Sequence, residues 1–424
     1  MKYLNSSACL LAFTLLALPT TAQEEAETPL PTFNDSSAAQ RSFNPAVSAI
    51  VDMFYYNENS KEGMSHIKEG MTGFGGHGHE EEEHGHDHGG NEKGFNLRHI
   101  ELAFSAEVDN YFKALAIAAI AEDGAEIEEA WGETTGLPWG LQAKAGKFFS
   151  NFGYINAQHA HEWDFTDQPL IYEQALGSHG LNDVGVQVSW LAPTPVYLLF
   201  GAEVFRGENE KMYVQEESEN GELPVNDNPR LGVGWVKLAP FQFEKSELQL
   251  GLFGASGSHQ EIHGDDPNKE YFDGMNSFAG GDVVYKYDSG KAYGQGDAAL
   301  QAEYFYRHKD LDLQGEDEKL KGAQDGYYIQ GTYGLLPRWR AGLRWEQVGL
   351  TNEEEEGGVK EEYGDSWRAS AMVDFRPSEF SQIRFQVSNG DYEFIEDDEI
   401  MGENVWEAFV QLTFSIGAHG AHNF

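Results

Sequence analysis

Residues 339–346 read WRAGLRWE, and this stretch decides the fold. Its apolar and polar members alternate: Trp339, Ala341, Leu343 and Trp345 against Arg340, Gly342, Arg344 and Glu346. Residues 367–375, WRASAMVDF, repeat the pattern. A period of two places the apolar set on one face of a strand and the charged set on the other. We therefore predict an all-β fold, a transmembrane antiparallel outer-membrane β-barrel with lipid outside and a polar lumen.

The composition excludes a helical membrane protein. The chain has 424 residues, a net charge of -43 and a mean hydropathy of -0.53. After the N-terminus it contains no run of about 18 apolar residues, so a spanning helix is not expected. Mean hydropathy does not detect a barrel, because only every second strand residue faces lipid. The alternative is a secreted β-sandwich or solenoid, but no repeat of about 20 to 50 residues supports a solenoid.

The N-terminus predicts a secretory signal peptide over residues 1–22. Lys2 is its charged start, residues 8–18 are its apolar core, and Ala22 ends a small-residue cleavage site. The single cysteine, Cys9, lies inside that core, so disulfides are not expected. Residues 23–43 are predicted to be a flexible lead, and residues 44–424 the barrel.

Sixteen strands are predicted, an even number as bacterial barrels require. They are 46–56, 95–108, 111–120, 126–134, 141–148, 182–191, 196–206, 230–239, 247–256, 280–288, 297–307, 326–335, 339–349, 366–375, 380–389 and 405–416. The short connections between them fall at one end, predicted to be periplasmic, with residues 121–125 as the exception. The predicted external loops are 57–93, 149–181, 207–229, 257–279, 308–325, 350–365 and 390–404.

The C-terminus carries a second barrel signal. Trp406, Phe414 and Ile416 share the parity of the terminal Phe424. A C-terminal aromatic residue in phase with the lipid face resembles the signal that outer-membrane proteins present to the barrel assembly machinery. We expect a bacterial outer-membrane location among lipid and lipopolysaccharide, and no nucleic-acid partner for this acidic chain.

Charge is divided between the loops and the wall. Acidic runs such as 80–83, 353–356, 361–362 and 393–399 lie in predicted loops, which are either simply solvated or gather divalent cations. By contrast, the polar parity of the strands predicts four pore-lining arginines: Arg340, Arg344, Arg368 and Arg384. Net charge therefore does not settle ion selectivity, which depends on the charges nearest the constriction.

A histidine-rich segment is the first candidate metal site. Residues 76–90 read GHGHEEEEHGHDHGG. Imidazole and carboxylate groups suit Zn²⁺, Cu²⁺ or Ni²⁺, but the low-complexity sequence implies no fixed geometry and allows incidental binding. The candidate ligands are His77, His79, Glu80, Glu81, His84, His86, Asp87 and His88.

A second candidate lies in the predicted loop 149–181. Residues 158–164 read QHAHEWD, and in an extended chain His159 and His161 point to the same side. Two imidazoles at that spacing can share one ion, with Glu162 or Asp164 nearby. The alternative is that the histidines only pack the loop against the wall. A loop that folds inward would form a constriction.

Catalysis finds little support in the sequence. Residues 254–258, GASGS, fail the nucleophile-elbow pattern at the last position. Residues 364–366, GDS, resemble the start of a lipase motif but have no evident histidine partner. We therefore do not expect an enzyme, and no cofactor is required.

Several stretches together resemble a known family. They are 44–52 (NPAVSAIVD), the His/Gly/Glu segment followed by 94–98 (GFNLR), 143–150 (AKAGKFFS) running on through 152–156 (FGYIN) to 164, and 201–207 (GAEVFRG). This looks like the proteobacterial zinc-regulated, TonB-dependent outer-membrane receptors, which are akin to phosphate-selective porins. The resemblance implies an outer-membrane transport role connected with zinc.

The chain departs from a true TonB-dependent receptor. Such receptors have a plugged barrel of about 22 strands. Here about twenty residues separate the predicted cleavage site from the first of sixteen strands. We therefore expect a barrel without a separate plug domain and do not expect TonB coupling.

Three functions follow as hypotheses. The first is a porin-like channel for small solutes or ions, with zinc or another divalent metal gathered by the external 57–93 loop and a constriction at 149–181. The second is an anion-preferring porin of the phosphate-selective type that uses the four arginines. The third is a structural or adhesive surface barrel. Porins of sixteen strands are commonly trimers, so a homotrimer is a candidate assembly.

Overall fold

The computed structural model describes residues 45–74, 91–122, 124–209, 211–216, 221–226, 229–264, 269–396 and 399–417. These residues form one antiparallel sheet of 17 strands. The first strand pairs with both the second and the last, so the sheet closes into a barrel. The predicted all-β barrel is confirmed: sixteen strands build the wall, and one short extra strand extends a hairpin.

The strands are bounded as follows: β1 Ala46–Glu58, β2 Gly94–Glu107, β3 Phe112–Ile120, β4 Ala125–Thr134, β5 Leu141–Phe149, β6 Asn182–Leu191, β7 Tyr197–Phe205, β8 Leu231–Gln242, β9 Ser246–His263, β10 Glu270–Tyr287, β11 Ala298–Leu313, β12 Lys319–Leu336, β13 Trp339–Glu356, β14 Val359–Glu362, β15 Ser366–Ser378, β16 Ser381–Glu396 and β17 Glu399–Gly417. Strand β14 pairs with the end of β13.

Alternation along the strands gives the barrel wall an apolar outer face and a polar inner face. On β17, Trp406, Phe414 and Ile416 are exposed on the outside, whereas Glu407 and Gln411 are buried inside. Strand β13 has the same arrangement, with Leu343 69% exposed and Arg344 3% exposed. An apolar outer face and a polar inner face are what a lipid-embedded barrel requires.

The connections sort by length, but several strands run farther than predicted. Residues 257–279, 308–325, 350–365 and 390–404, predicted to be loops, consist largely of strand: β9 pairs with β10 as far as His263, and β16 with β17 as far as Glu396. Beyond the apolar band a strand needs no outward apolar face, so the sequence pattern ended before the backbone pairing did. The acidic residues 353–356 therefore belong to β13.

Two short helices lie among the connections: α1 Met64–Glu69 and α2 Leu170–Leu176. Within the described residues, no helix is both long enough and apolar enough to cross a membrane. Met64 and Ile67 of α1 are buried, and Met71 bridges to Phe394 of β16. The 57–93 connection, predicted to be external, thus begins with residues folded against the wall, because its apolar side chains pack there.

Candidate functional site

The segment between β5 and β6, residues 150–181, lies inside the barrel, and we call it the inward loop. It contains α2, which packs against β12 and β13 with every residue except Glu173 buried. The backbone N–H of Leu170, at the start of α2, donates a 2.7 Å hydrogen bond to Oε2 of Glu346 on β13. The inward loop therefore occupies the place that the sequence predicts for a constriction.

Acidic residues fix one side of the inward loop to the wall. Asp164 pairs with Arg340, and Asp167 lies 2.6 Å from Nη2 of Arg344 and 2.9 Å from Nη1 of Arg368. Burial would raise the pKa of Asp167, but the two guanidinium groups lower it well below the ordinary value. The pairs of Asp167 with Arg344 and Arg368 are withdrawn from water on both sides, so they hold the loop firmly.

The four predicted pore-lining arginines all face the barrel interior. Arg384 donates to the backbone carbonyl of Trp163 at 2.9 Å, and it lies 3.7 Å from Asp374. Asp374 also forms an ion pair with Arg340, in which Nη2 of Arg340 lies 2.7 Å from Oδ2 of Asp374. Each arginine thus contacts a carboxylate of the inward loop or the wall, so the wall is not a bare basic surface.

Glu303 of β11 fixes the opposite part of the inward loop. It accepts hydrogen bonds from the N–H groups of Tyr154 and Ile155 at 2.7 and 3.2 Å. The hydroxyl groups of Tyr172 and Tyr328 donate to the same carboxylate. Glu303 was not singled out from the sequence; its polar parity on β11 places it inside, but its partners are distant in the chain.

An apolar core occupies part of the lumen. The side chain of Phe152 is fully buried, with its ring centroid 4.5 Å from that of Phe253 and 5.3 Å from that of Phe305. Residues of α1, α2 and the 206–230 connection join this core. The lumen is therefore narrowed by packing as well as by ion pairs.

A cluster of histidines and glutamates, which we call the histidine cluster, joins the inward loop to β2 and β4. His159 Nε2 donates to Glu129 Oε1 at 2.9 Å. His159 Nδ1 lies 3.4 Å from Glu128 Oε2 and 3.7 Å from Glu101 Oε2. His161 Nδ1 lies 3.0 Å from Glu101 Oε1. The structure thus brings His159 and His161 together, with their rings stacked at 5.7 Å.

Two β-bulges aim side chains of this region into the barrel. Between β3 and β4 the register shifts so that Ile117 faces Glu129 and Ala118 faces Ile127, which leaves Glu128 as the extra residue. A similar shift between β1 and β2 leaves Arg98, next to His99, without a residue opposite it on β1. Bulges re-aim side chains in this way. Simple alternation would place Glu128 and Glu129 on opposite faces, so the sequence pattern missed Glu128.

The charges around the two histidines favour their protonated forms. Burial lowers the pKa of His159, but the carboxylates of Glu128 and Glu101 raise it well above the ordinary value. Burial likewise lowers the pKa of His161, and Glu101 raises it. A positive charge, whether a proton or a cation, is therefore stabilised at this point.

The other predicted metal ligands, from His77 to His88, lie outside the described residues. Glu162, predicted to lie near an ion held by the two histidines, ends the short 3₁₀ turn that His159 precedes.

Comparison with solved structures defines the class of fold. The outer-membrane channel DcaP of Acinetobacter baumannii superposes with a TM-score of 0.52 at 11% identity, over 88% of this chain and 96% of that one. The anion-selective porin of Comamonas acidovorans gives 0.51 at 10% identity, over 88% and 99%. Vibrio cholerae OmpT, in its trimer form, gives 0.51 at 11% identity, over 88% and 100%. The chain has the fold of an outer-membrane porin.

Sequence comparison supplies the family. An uncharacterized protein of Aquifex aeolicus (strain VF5) is 38% identical over 401 residues, which cover 92% of this chain and 82% of that protein. The chain belongs to the same family as this Aquifex aeolicus protein. No family model matches the sequence. The Aquifex aeolicus relative and the three solved structures are not described as zinc-regulated or TonB-dependent, so they do not support that part of the resemblance.

Proposed function

We propose that the chain is an outer-membrane channel for small solutes or ions in which the inward loop forms the constriction. The observation that carries this proposal is the attachment of that loop inside the barrel, through Asp164 and Asp167 on one side and Glu303 on another. A loop fixed in the lumen of a sixteen-stranded barrel determines which solutes pass. We include in the proposal that the barrel is not an enzyme.

The pairing of the arginines supports a passage without strong anion preference. Arg344 lies between Asp167 and Glu346, and Arg368 is paired with the same two carboxylates. Selectivity depends on uncompensated charge near the narrowest point. Since these arginines are compensated by carboxylates, we propose a passage without strong anion preference rather than phosphate-selective behaviour.

The link to metal acquisition rests on the sequence of the 57–93 connection. Five histidines between glycines and acidic residues at 76–90 suit the capture of Zn²⁺ or a similar ion. We propose that this segment raises the local concentration of the ion at the pore mouth. Outer-membrane placement with the long connections outside belongs to the same proposal.

A structural barrel is the second candidate, and the apolar core inside the lumen favours it. Buried side chains from α1, α2 and the 206–230 connection pack together with wall residues such as Phe253. Hydrophobic constrictions impede hydrated ions. A barrel closed by this core would serve the envelope mechanically and would not conduct.

Planar-bilayer recording in a KCl gradient tests the proposal. We expect discrete conductance steps with a reversal potential that shows no strong anion preference. The double variant Asp164→Asn with Asp167→Asn should shift the reversal potential toward anions, because it leaves Arg340, Arg344 and Arg368 undercompensated. Asp312→Asn, at an exposed position, is the matched control and should behave like the native chain. Absence of steps from folded protein would favour the structural barrel, and native anion preference would overturn the selectivity proposal.

A further inference from the structure

We propose that Glu101, Glu128 and His159 form a binding site for one divalent transition-metal ion, which joins the inward loop to the barrel wall. One ligand atom from each residue lies within 4.8 Å of the other two. His159 comes from the inward loop, Glu101 from β2 and Glu128 from the bulge in β4. One imidazole and two carboxylates are donors that zinc-class ions accept.

Two of the candidate ligand atoms lack a hydrogen-bond partner. His159 is 3% exposed, and neither its Nδ1 nor Oε2 of Glu128 makes a hydrogen bond. They face each other at 3.4 Å, and Nδ1 lies 3.7 Å from Glu101 Oε2. Ligands about 2.0–2.2 Å from a tetrahedral zinc ion lie about 3.3–3.6 Å apart. The 3.4 Å separation falls within this range and the 3.7 Å separation lies just above it, so an ion between the atoms needs only a small adjustment of Glu101.

The outer contacts orient the ligands as metal sites require. His159 uses Nε2 to donate to Glu129, which leaves Nδ1 as the coordinating atom. Glu129 in turn accepts from Nε1 of Trp131 at 2.8 Å. Glu101 uses Oε1 toward His99 and His161 and keeps Oε2 for the ion. Such partners fix the tautomer and direction of a ligand histidine.

A comparable group at the end of β9 shows the contrast. His259 and His263 both contact Glu261, at 2.8 and 3.0 Å. There the ammonium group of Lys309 lies 2.8 Å from Glu261 and 3.0 Å from Glu354, so a cation already neutralises the carboxylates. In the histidine cluster no lysine or arginine is paired with Glu101 or Glu128 among the described ion pairs.

The ion would complete the attachment of the inward loop. The arginine pairs hold the loop to β13 and β15, while the metal would hold His159 to β2 and β4 on another side. A water-accessible cleft lined by His161, Arg376 and Thr413 reaches the loop beside the cluster. Metal binding itself is independent of transport; its effect on a constriction rests on the proposed channel function.

Equilibrium dialysis of the refolded chain against ZnCl₂ tests the site, with bound metal measured by mass spectrometry. The histidine-rich segment must first be silenced by replacing His77, His79, His84, His86 and His88 with serine. In that background we expect one tightly bound Zn²⁺ per chain. His159→Gln and Glu128→Gln should each weaken binding at least about ten- to a hundredfold. With Co²⁺ as the probe, the background chain should show visible absorption that both variants lose.

His179→Gln is the matched control, because His179 also lies near a glutamate, 3.6 Å from Glu126, but is half exposed. It should bind Zn²⁺ like the background chain. Heat-modifiable migration on gels verifies that each variant is folded, and Glu128→Gln decides the question where His159→Gln does not fold. Unchanged zinc binding in a folded Glu128→Gln variant, or none in the folded background chain, would overturn the site. Conductance steps, recorded separately, show whether the channel proposal stands.

Discussion

Arg368 on β15 and Glu346 on β13 lie directly opposite each other, and Nε of Arg368 donates a 2.7 Å hydrogen bond to Oε1 of Glu346. The same oxygen accepts a 2.9 Å hydrogen bond from Nε of Arg344. The other oxygen of Glu346 accepts a hydrogen bond from the backbone N–H of Leu170. One wall carboxylate therefore connects two arginines with the first residue of α2. Docking of the inward loop and compensation of the wall charge depend on the same group.

Glu346→Gln should reduce the free energy of unfolding by about 3–5 kcal/mol, since it leaves two buried guanidinium groups short of one partner charge. The measurement is urea unfolding of the refolded barrel in lipid or detergent, followed by tryptophan fluorescence. Glu316→Gln, at an exposed turn position, is the control and should change the midpoint little. Equal midpoints for the two variants would contradict a central role for Glu346.

The lowered pKa of Asp167 predicts how the stability of the barrel depends on pH. Its pKa in the folded protein is lowered, after the opposing effect of burial, by Arg344 and Arg368. Its stabilising contribution is thus fully present above the ordinary aspartate pKa of about 4 and is lost as the pH falls from there toward the folded value. We expect the stability difference between the native chain and Asp167→Asn to stay constant from about pH 8 to 5 and to shrink below about 4. Shrinkage already near pH 6 would show that another group controls the docking.

Gly146→Ala should impair folding. Gly146 has φ +136°, which L-residues rarely adopt, and a methyl group there would lie 2.1 Å from the carbonyl oxygen of Ala130. The backbone strain alone costs on the order of 1–3 kcal/mol. Gly132→Ala is the matched control on the neighbouring strand, because its methyl group would meet nothing closer than 3.9 Å. Refolding yield into lipid vesicles measures both, and equal yields would show that β4 and β5 can separate without cost.

Leu343→Arg tests the lipid face. Leu343 is 69% exposed on the outside of β13, about four residues from the turn end, so it lies near the middle of the apolar band. Arginine there should reduce the free energy of unfolding by about 2–4 kcal/mol in a lipid bilayer. Val359→Arg, 66% exposed on β14, should have little effect. A larger loss in the free energy of unfolding for Val359→Arg than for Leu343→Arg would contradict the assignment of the membrane band.

The sequence predicted the features that repeat along a strand. Alternation at 339–346 and 367–375 identified the inner and outer faces, and all four arginines lie on the predicted side. Such patterns are local, so each strand reports its own orientation. The sixteen wall strands follow from the same signal.

The missed features depend on partners far along the chain. Whether Glu128 bulges is decided by its pairing with β3, and the pairing of Asp167 with Arg368 joins residues about two hundred positions apart. The extension of β9 to His263 depends on backbone pairing with β10 after the apolar pattern has ended. None of these relations leaves a periodic trace in the sequence.

The unequal strands give the barrel a sloping rim. At a rise of about 3.4 Å per residue and a tilt of about 45°, the nine residues of β3 span roughly 22 Å, close to the apolar band of about 25 Å, whereas the eighteen of β9 span roughly 43 Å. The hairpin of β3 and β4 is therefore a low part of the rim, and β4 is the strand that carries Glu128. An ion that approaches the barrel beside this hairpin would therefore travel only a short distance along the wall to reach Glu128.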